Sequence, residues 1–312
     1  MTPLKIAIIG FGKIAEDQHV PSIAANPRFE LVATVSRRGK GVEGVPSFTS
    51  HQEMLREAEG LDAVAICTPP LGRYDIAREC IEAGLHTLLE KPPSVSLAEV
   101  EHLACLAEGR QVSLFTTWHA QHNAAVTAAA ERLAGQDIRR MEIVWHEDVR
   151  KWHPGQEWIW EPGGFGVFDP GINALSIASR IFPGELFVRE AELIFPENKL
   201  TPITARLKFA SSSSDGDLTA DFDWDHSGDE TWTIAIETAD GTELLLKDGG
   251  SCLLVGGEPQ ASGGDDDEYP SIYAEFAGLI DERGSHVDIR PLRLVADAYL
   301  TGRYSRAEPF ED

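Results

Sequence analysis

The stretch Leu4-Lys5-Ile6-Ala7-Ile8-Ile9-Gly10-Phe11-Gly12-Lys13-Ile14-Ala15 decides how the first third of the chain folds. Its apolar opening reads as a strand stopped by Gly10, and residues 13–25 read as a helix. Between them stands G-x-G-x-x-A. In a strand–turn–helix setting the first glycine permits a tight turn and the second lets backbone approach a pyrophosphate. The last small residue packs helix on strand. The unpaired N–H groups of a helix start also favour phosphate. A plain strand–turn–helix is the simpler alternative, but the pattern downstream favours a dinucleotide site, with Gly10, Gly12, Lys13 and Ile14 against the cofactor.

Working outward, residues 31–35, 63–67, 86–89 and 112–116 form further short apolar runs. They alternate with helical patterns at 74–83, stopped by Gly84, and at 97–108. Continuous apolar strands separated by helices predict an α/β fold, a doubly wound parallel sheet covered on both faces. In such sheets the C-terminal strand ends line the ligand crevice. That places Cys67, Thr68, Pro69, Glu90 and Lys91 at the cofactor. The second strand ends in Ser36-Arg37-Arg38, where an acidic residue would have bound a ribose hydroxyl. Guanidinium forks suit a 2′-phosphate instead, so NADP is the expected cofactor with NAD tolerated.

After about residue 120 the pattern changes to polar–apolar alternation at 141–145, 186–195, 203–209, 218–224, 232–237 and 243–246, with helices at 123–134, 170–181 and 291–300. This predicts a C-terminal α+β domain with an open, mostly antiparallel sheet. The expected division is a nucleotide-binding domain at 1–120 and a substrate-binding and oligomerisation domain at 121–312, a comfortable total for two cores. The net charge of −24 weighs against nucleic-acid or membrane-surface partners, because it repels phosphate and anionic lipid. The tract Gly263-Gly264-Asp265-Asp266-Asp267-Glu268 reads as a solvated loop. Cys67, Cys80, Cys105 and Cys252 lack zinc-site or disulfide spacing, and Cys67 reads as a buried thiol. With no apolar run long enough for a signal or membrane segment, a cytoplasmic location is expected. No metal is expected either, since His119-Ala120-Gln121-His122 has no carboxylate or cysteine nearby to complete a ligand set.

Two motifs carry chemistry. Glu90-Lys91-Pro92 puts a lysine at a strand end, where burial and a cofactor tune its charge. Gly163-Gly164-Phe165-Gly166-Val167-Phe168-Asp169-Pro170-Gly171-Ile172-Asn173 leads into a helix, with Asp169 suited to the N-cap and Pro170 to the first helical position. Asp169 and Asn173 share one face of that helix start. Together with the glycine-rich opening, these motifs resemble the Gfo/Idh/MocA oxidoreductase family over nearly the whole chain. The resemblance implies a Rossmann domain joined to a domain with an open, mostly antiparallel sheet. It also implies catalytic roles for Lys91 and Asp169. The family's usual histidine four residues after the aspartate is here Asn173. The stretch at 147–162, together with 291–297, looks like bacterial L-arabinose and D-galactose 1-dehydrogenases. That implies oxidation of a free aldopyranose at C1 to its lactone.

A hemiacetal hydroxyl is more acidic than an ordinary alcohol, so a missing histidine base is tolerable. Asp169 is the first choice as general base, oriented by Asn173, with Lys91 at O1 or a neighbouring hydroxyl. The alternative gives the proton to a neutral Lys91. A pyranose needs an aromatic plane and fixed polar partners, and Trp152, Trp232, His153, Glu147 and His119 are the candidates, with Trp145 and Trp160 assigned to the core. The monosaccharide remains open among L-arabinose, D-galactose and D-fucose. A homodimer through the open sheet is expected. Two rival readings are a sugar-sensing regulator that binds NADP without chemistry and an inositol-type dehydrogenase. The presence of Lys91 and Asp169 weighs against the first, and Asn173 against the second.

Overall fold

The computed structural model describes residues 2–263 and 265–311. It divides into two compact units, Met1–His119 with Glu268–Ile289, and Ala120–Asp267 with Arg290–Asp312. The boundary near residue 120 is where the hydrophobic pattern changes. The return of 268–289 to the first unit corrects the expected division at 121–312, and its cause is a helix that the sequence reading missed.

In the first unit β1 (Leu4–Ile9), β2 (Phe29–Val35), β3 (Ser47–Phe48), β4 (Ala63–Ile66), β5 (His86–Leu89) and β6 (Leu114–Thr116) form one sheet. All are parallel, in the order β3-β2-β1-β4-β5-β6. Burial on both faces explains why the strands are apolar throughout. Ala7, Ile9, Val64 and Ile66 face a layer with Met54, Ala77 and Leu103 from flanking helices. Ile6, Ile8, Ala63 and Phe115 face Tyr269, Ile272, Tyr273 and Phe276. Those last residues lie on the helix Asp265–Glu282, which begins within the acidic tract expected to be a solvated loop. Gly264 lies outside the described residues. The spacing of Tyr269, Ile272, Tyr273, Phe276 and Ile280 makes one apolar stripe. Burying that stripe on the sheet outweighs the interior Pro270, which ordinarily disfavours a helix.

In the second unit nine strands lie in the order β14-β13-β12-β11-β7-β10-β9-β8-β15. Their ranges are β7 (Ile138–His146), β8 (Leu186–Pro196), β9 (Thr204–Ser211), β10 (Asp217–Asp223), β11 (Thr231–Thr238), β12 (Glu243–Lys247), β13 (Cys252–Val255), β14 (Glu258–Ser262) and β15 (Gly302–Ala307). The β7–β10 and β8–β15 pairs are parallel and the other neighbours antiparallel. On β7 the residues Met141, Ile143 and Trp145 alternate inward. The buried helix Phe168–Ile181 packs against β7 and against the helix Arg290–Thr301. The opposite face carries ion pairs such as Arg206–Glu192 (3.1 Å) and Lys208–Glu190 (3.6 Å). Among the described residues no helix is long and apolar enough to cross a membrane.

Candidate active site

In the first unit the ends of β1, β2 and β4 border a cleft of about 920 Å³, whose lining includes Gly10, Gly12, Ser36, Arg37, Arg38, Cys67, Thr68 and Pro69. Gly10 has φ +93°, and a Cβ there would stand 2.6 Å from the Thr68 backbone nitrogen, so only glycine fits. A Cβ on Gly12 would meet nothing within 4 Å, which leaves room for a ligand. The Thr68 hydroxyl is buried and finds no hydrogen-bond partner among the described residues. Arg37 and Arg38 are exposed and pair with no carboxylate among the described residues. This donor set fits a phosphorylated dinucleotide. Three expectations change. Cys67 is half-buried and lines the cleft. Lys13 and Ile14 are exposed at the helix start and are not part of the cleft wall, and Lys13 is bonded to Asp17. Helical dihedrals already at this turn point both side chains to solvent.

The Glu90-Lys91-Pro92 loop follows β5, with a cis Lys91–Pro92 bond. Arg73, 2% exposed, donates from its guanidinium to the carbonyls of Thr68, Glu90 and Pro92. Glu90, expected at the cofactor, has a buried carboxylate. Its Oε1 accepts from the Tyr269 hydroxyl (2.8 Å) and lies 2.9 Å from His19 Nε2, while Oε2 accepts the Lys91 backbone N–H (2.9 Å). His19 Nδ1 meets the Tyr273 hydroxyl at 2.7 Å. A π-helical turn, Ala15–His19, carries that imidazole inward. His119 belongs to the same unit. Its Nδ1 lies 2.8 Å from Glu268 Oε2 and its ring stacks on Tyr269 at 6.0 Å. His19, Arg73, Glu268, Tyr269 and Tyr273 were not legible as site residues. An arginine or histidine in a helix reads as surface unless its partners are known.

Burial alone would raise the Glu90 carboxyl, but the bond and charge of His19, the His119 charge and the Tyr269 hydroxyl outweigh it and hold it at about 2. Burial opposes a charge on His119, and the bond and charge of Glu268 raise it nonetheless. A depressed carboxyl stabilises the fold above its unfolded pKa of about 4.3, and that stability drains away as pH falls toward the folded value. Acid titration followed by circular dichroism is therefore expected to show a loss beginning near pH ~4 that flattens in Glu90→Gln. A variant with the parent's acid profile contradicts the assignment.

In the second unit the segment after β7 and the start of the helix Phe168–Ile181 bring five of the expected residues together. Glu147, expected to read a hydroxyl, is buried, and its two oxygens accept the indole N–H groups of Trp224 and Trp232 (both 3.0 Å). A carboxylate in apolar surroundings must take such donors. Trp152 is 45% exposed, its ring 5.7 Å from that of Trp232 and its N–H on Glu230 (2.5 Å). Trp145 and Trp160 are buried, as core residues. His153 stands edge-on to Trp224 (5.2 Å), with Nε2 3.4 Å from Asp169 Oδ2. Asp169 does not cap its helix. The chain has already turned at Gly166 (φ +55°), the cap is Val167, and the Asp169 N–H donates to the Gly166 carbonyl (2.8 Å). Its buried carboxylate therefore sits in the first turn, with half-buried Asn173 one turn on.

Residues 4–118 match a family described as an oxidoreductase family with an NAD-binding Rossmann fold. A galactose 1-dehydrogenase from Pseudomonas fluorescens is 44% identical over 312 residues, covering 100% of both chains. The crystal structure of a D-galactose-1-dehydrogenase from Rhizobium etli is 46% identical with a TM-score of 0.94, covering 100% of this chain and 99% of that one. A 3-ketoreductase from Actinomadura kijaniata, in complex with TDP-benzene and NADP, is 19% identical at a TM-score of 0.83, covering 98% and 99%, and shares the fold.

Proposed function

We propose that this chain, which belongs to the Gfo/Idh/MocA oxidoreductase family, oxidises the C1 hemiacetal of a free aldopyranose to its lactone, with NADP preferred over NAD. The observation that carries the reading is the indole-walled Asp169–His153 pair, in a chain similar end to end to two galactose 1-dehydrogenases. Trp152, with Trp232 tilted against it, offers the apolar face of the sugar an indole surface. Asp169 takes the anomeric proton and Asn173 orients it. Lys91 hydrogen-bonds O1 or a neighbouring hydroxyl and offsets the negative charge that grows there. A bound nicotinamide would supply the acceptor for the C1 hydride. Gly10, Gly12 and Thr68 hold the dinucleotide, and Arg37 and Arg38 its 2′-phosphate.

D-galactose, L-arabinose and D-fucose differ only at the C5 substituent, which a pocket discriminates by roughly 10- to 200-fold. Mixing the protein with NADP and each sugar is expected to raise the NADPH absorbance. A methyl galactoside, which lacks the anomeric O–H, is expected to stay silent, and equal oxidation of it overturns the C1 assignment. Arg37→Ala and Arg38→Ala together are expected to lower kcat/KM for NADP by about 10- to 100-fold, the weight of a charge-assisted hydrogen bond, and to spare NAD.

A further inference from the structure

Asn173 offers the Asp169 carboxylate only an amide, yet the second unit supplies an imidazole from elsewhere in the chain. His153 follows the short helix Val149–Trp152, and its backbone N–H donates to the Val149 carbonyl (2.8 Å). The ring has Trp224 along one edge, Asp169 Oδ2 at 3.4 Å from Nε2, and Gln156 Oε1 at 3.4 Å from Nδ1. Trp158 donates its indole N–H to that same Gln156 oxygen (3.0 Å). An indole nitrogen only donates, so Gln156 presents oxygen, not nitrogen, to His153. Both imidazole nitrogens therefore face acceptors, an arrangement satisfied in full by the doubly protonated ring. Glu147 completes the support by holding Trp224. Both ring contacts are long for hydrogen bonds, as catalytic contacts often are before substrate arrives.

We propose that His153 is a positioning residue for Asp169: as an imidazolium it donates from Nε2 to Oδ2, fixing the rotamer in which the carboxylate receives the anomeric proton. The role rests on the reading of Asp169 as the base. The proton balance is simple. O1 loses its proton to Asp169, C1 loses hydride to the nicotinamide, and His153 keeps its own protons throughout.

Two measurements test this. In steady-state kinetics, His153→Leu is expected to lower kcat by about 10- to 100-fold, the weight of one charge-assisted hydrogen bond. The sugar KM and NADP affinity are expected to change little, and His153→Gln, which restores a donor near Nε2, to recover most of the loss. Nitrogen-15 spectra of the histidine rings, with His153→Gln identifying the resonance, are expected to show an imidazolium at neutral pH that titrates at lower pH in Asp169→Asn. Parental kcat in His153→Leu, or a His153 titration indifferent to Asp169→Asn, overturns the proposal. The spectra are read without substrate. A parent that oxidises no aldose would therefore refute the proposed function, while the His153–Asp169 coupling is still decided.

Discussion

Asp169→Asn is expected to lower kcat for aldose oxidation by about a thousandfold, inside the range for loss of a general base. The substitution keeps the side chain's size, so the first turn of the helix Phe168–Ile181 and the packing around it stay intact. What is lost is an oxygen able to take a proton. The carboxylate is buried beside His153, so solvent is poorly placed to replace it. Binding should separate from chemistry. The dinucleotide cleft is lined by first-unit residues and Asp169 belongs to the second, so NADP affinity by fluorescence titration is expected to match the parent. Sugar KM is expected to change by a few-fold at most. A variant retaining more than about a hundredth of parental kcat would move the proton to another group, with Lys91 the first to examine, because general-base loss is worth at least about a hundredfold.

The parallel sheet was legible because a strand buried on both faces must be apolar throughout, and residues 4–9 and 63–66 are. The helix Asp265–Glu282 was not legible, because its acidic start mimics a solvated tract and Pro270 interrupts its pattern. The signal was present in the aromatic spacing from Tyr269 to Phe276, which only a buried helical face explains. The edge strands β14 and β15 escaped notice for a different reason: short, polar edges are bounded by pairing partners that the sequence does not reveal.

Site residues divided along similar lines. Trp152 meets Trp232 and His153 meets Asp169 where the segment after β7, the start of β11 and the first turn of the helix Phe168–Ile181 converge in one unit. Glu147 and Glu90 were placed at ligands, and each carboxylate also holds protein donors, two indoles in one case and His19, Tyr269 and the Lys91 N–H in the other. A sequence records that a carboxylate stands near a motif. It does not record how many donors converge on it, and that number separates a group that meets the ligand from one that aligns its neighbours.

Arg73→Met shows what that distinction costs when the aligning group is charged. Arg73 ties three main-chain carbonyls with one guanidinium: Thr68, which walls the dinucleotide cleft, and Glu90 and Pro92, which bracket Lys91. Methionine fills similar volume but donates nothing, which leaves three acceptors without their partner at about 1–3 kcal/mol each where water cannot reach. Some relaxation will readmit water, so the expected loss is about 3–5 kcal/mol, or on the order of 10 °C in Tm. Arg73→Lys, with one donor group for three carbonyls, is expected to fall between. Because the two loops lose their common tether, NADP affinity and kcat are expected to decline together in Arg73→Lys even at temperatures where it is fully folded. If Arg73→Lys instead kept parental NADP affinity and kcat while only Tm dropped, the guanidinium would serve the core alone and not the alignment of Lys91 with the cofactor loop.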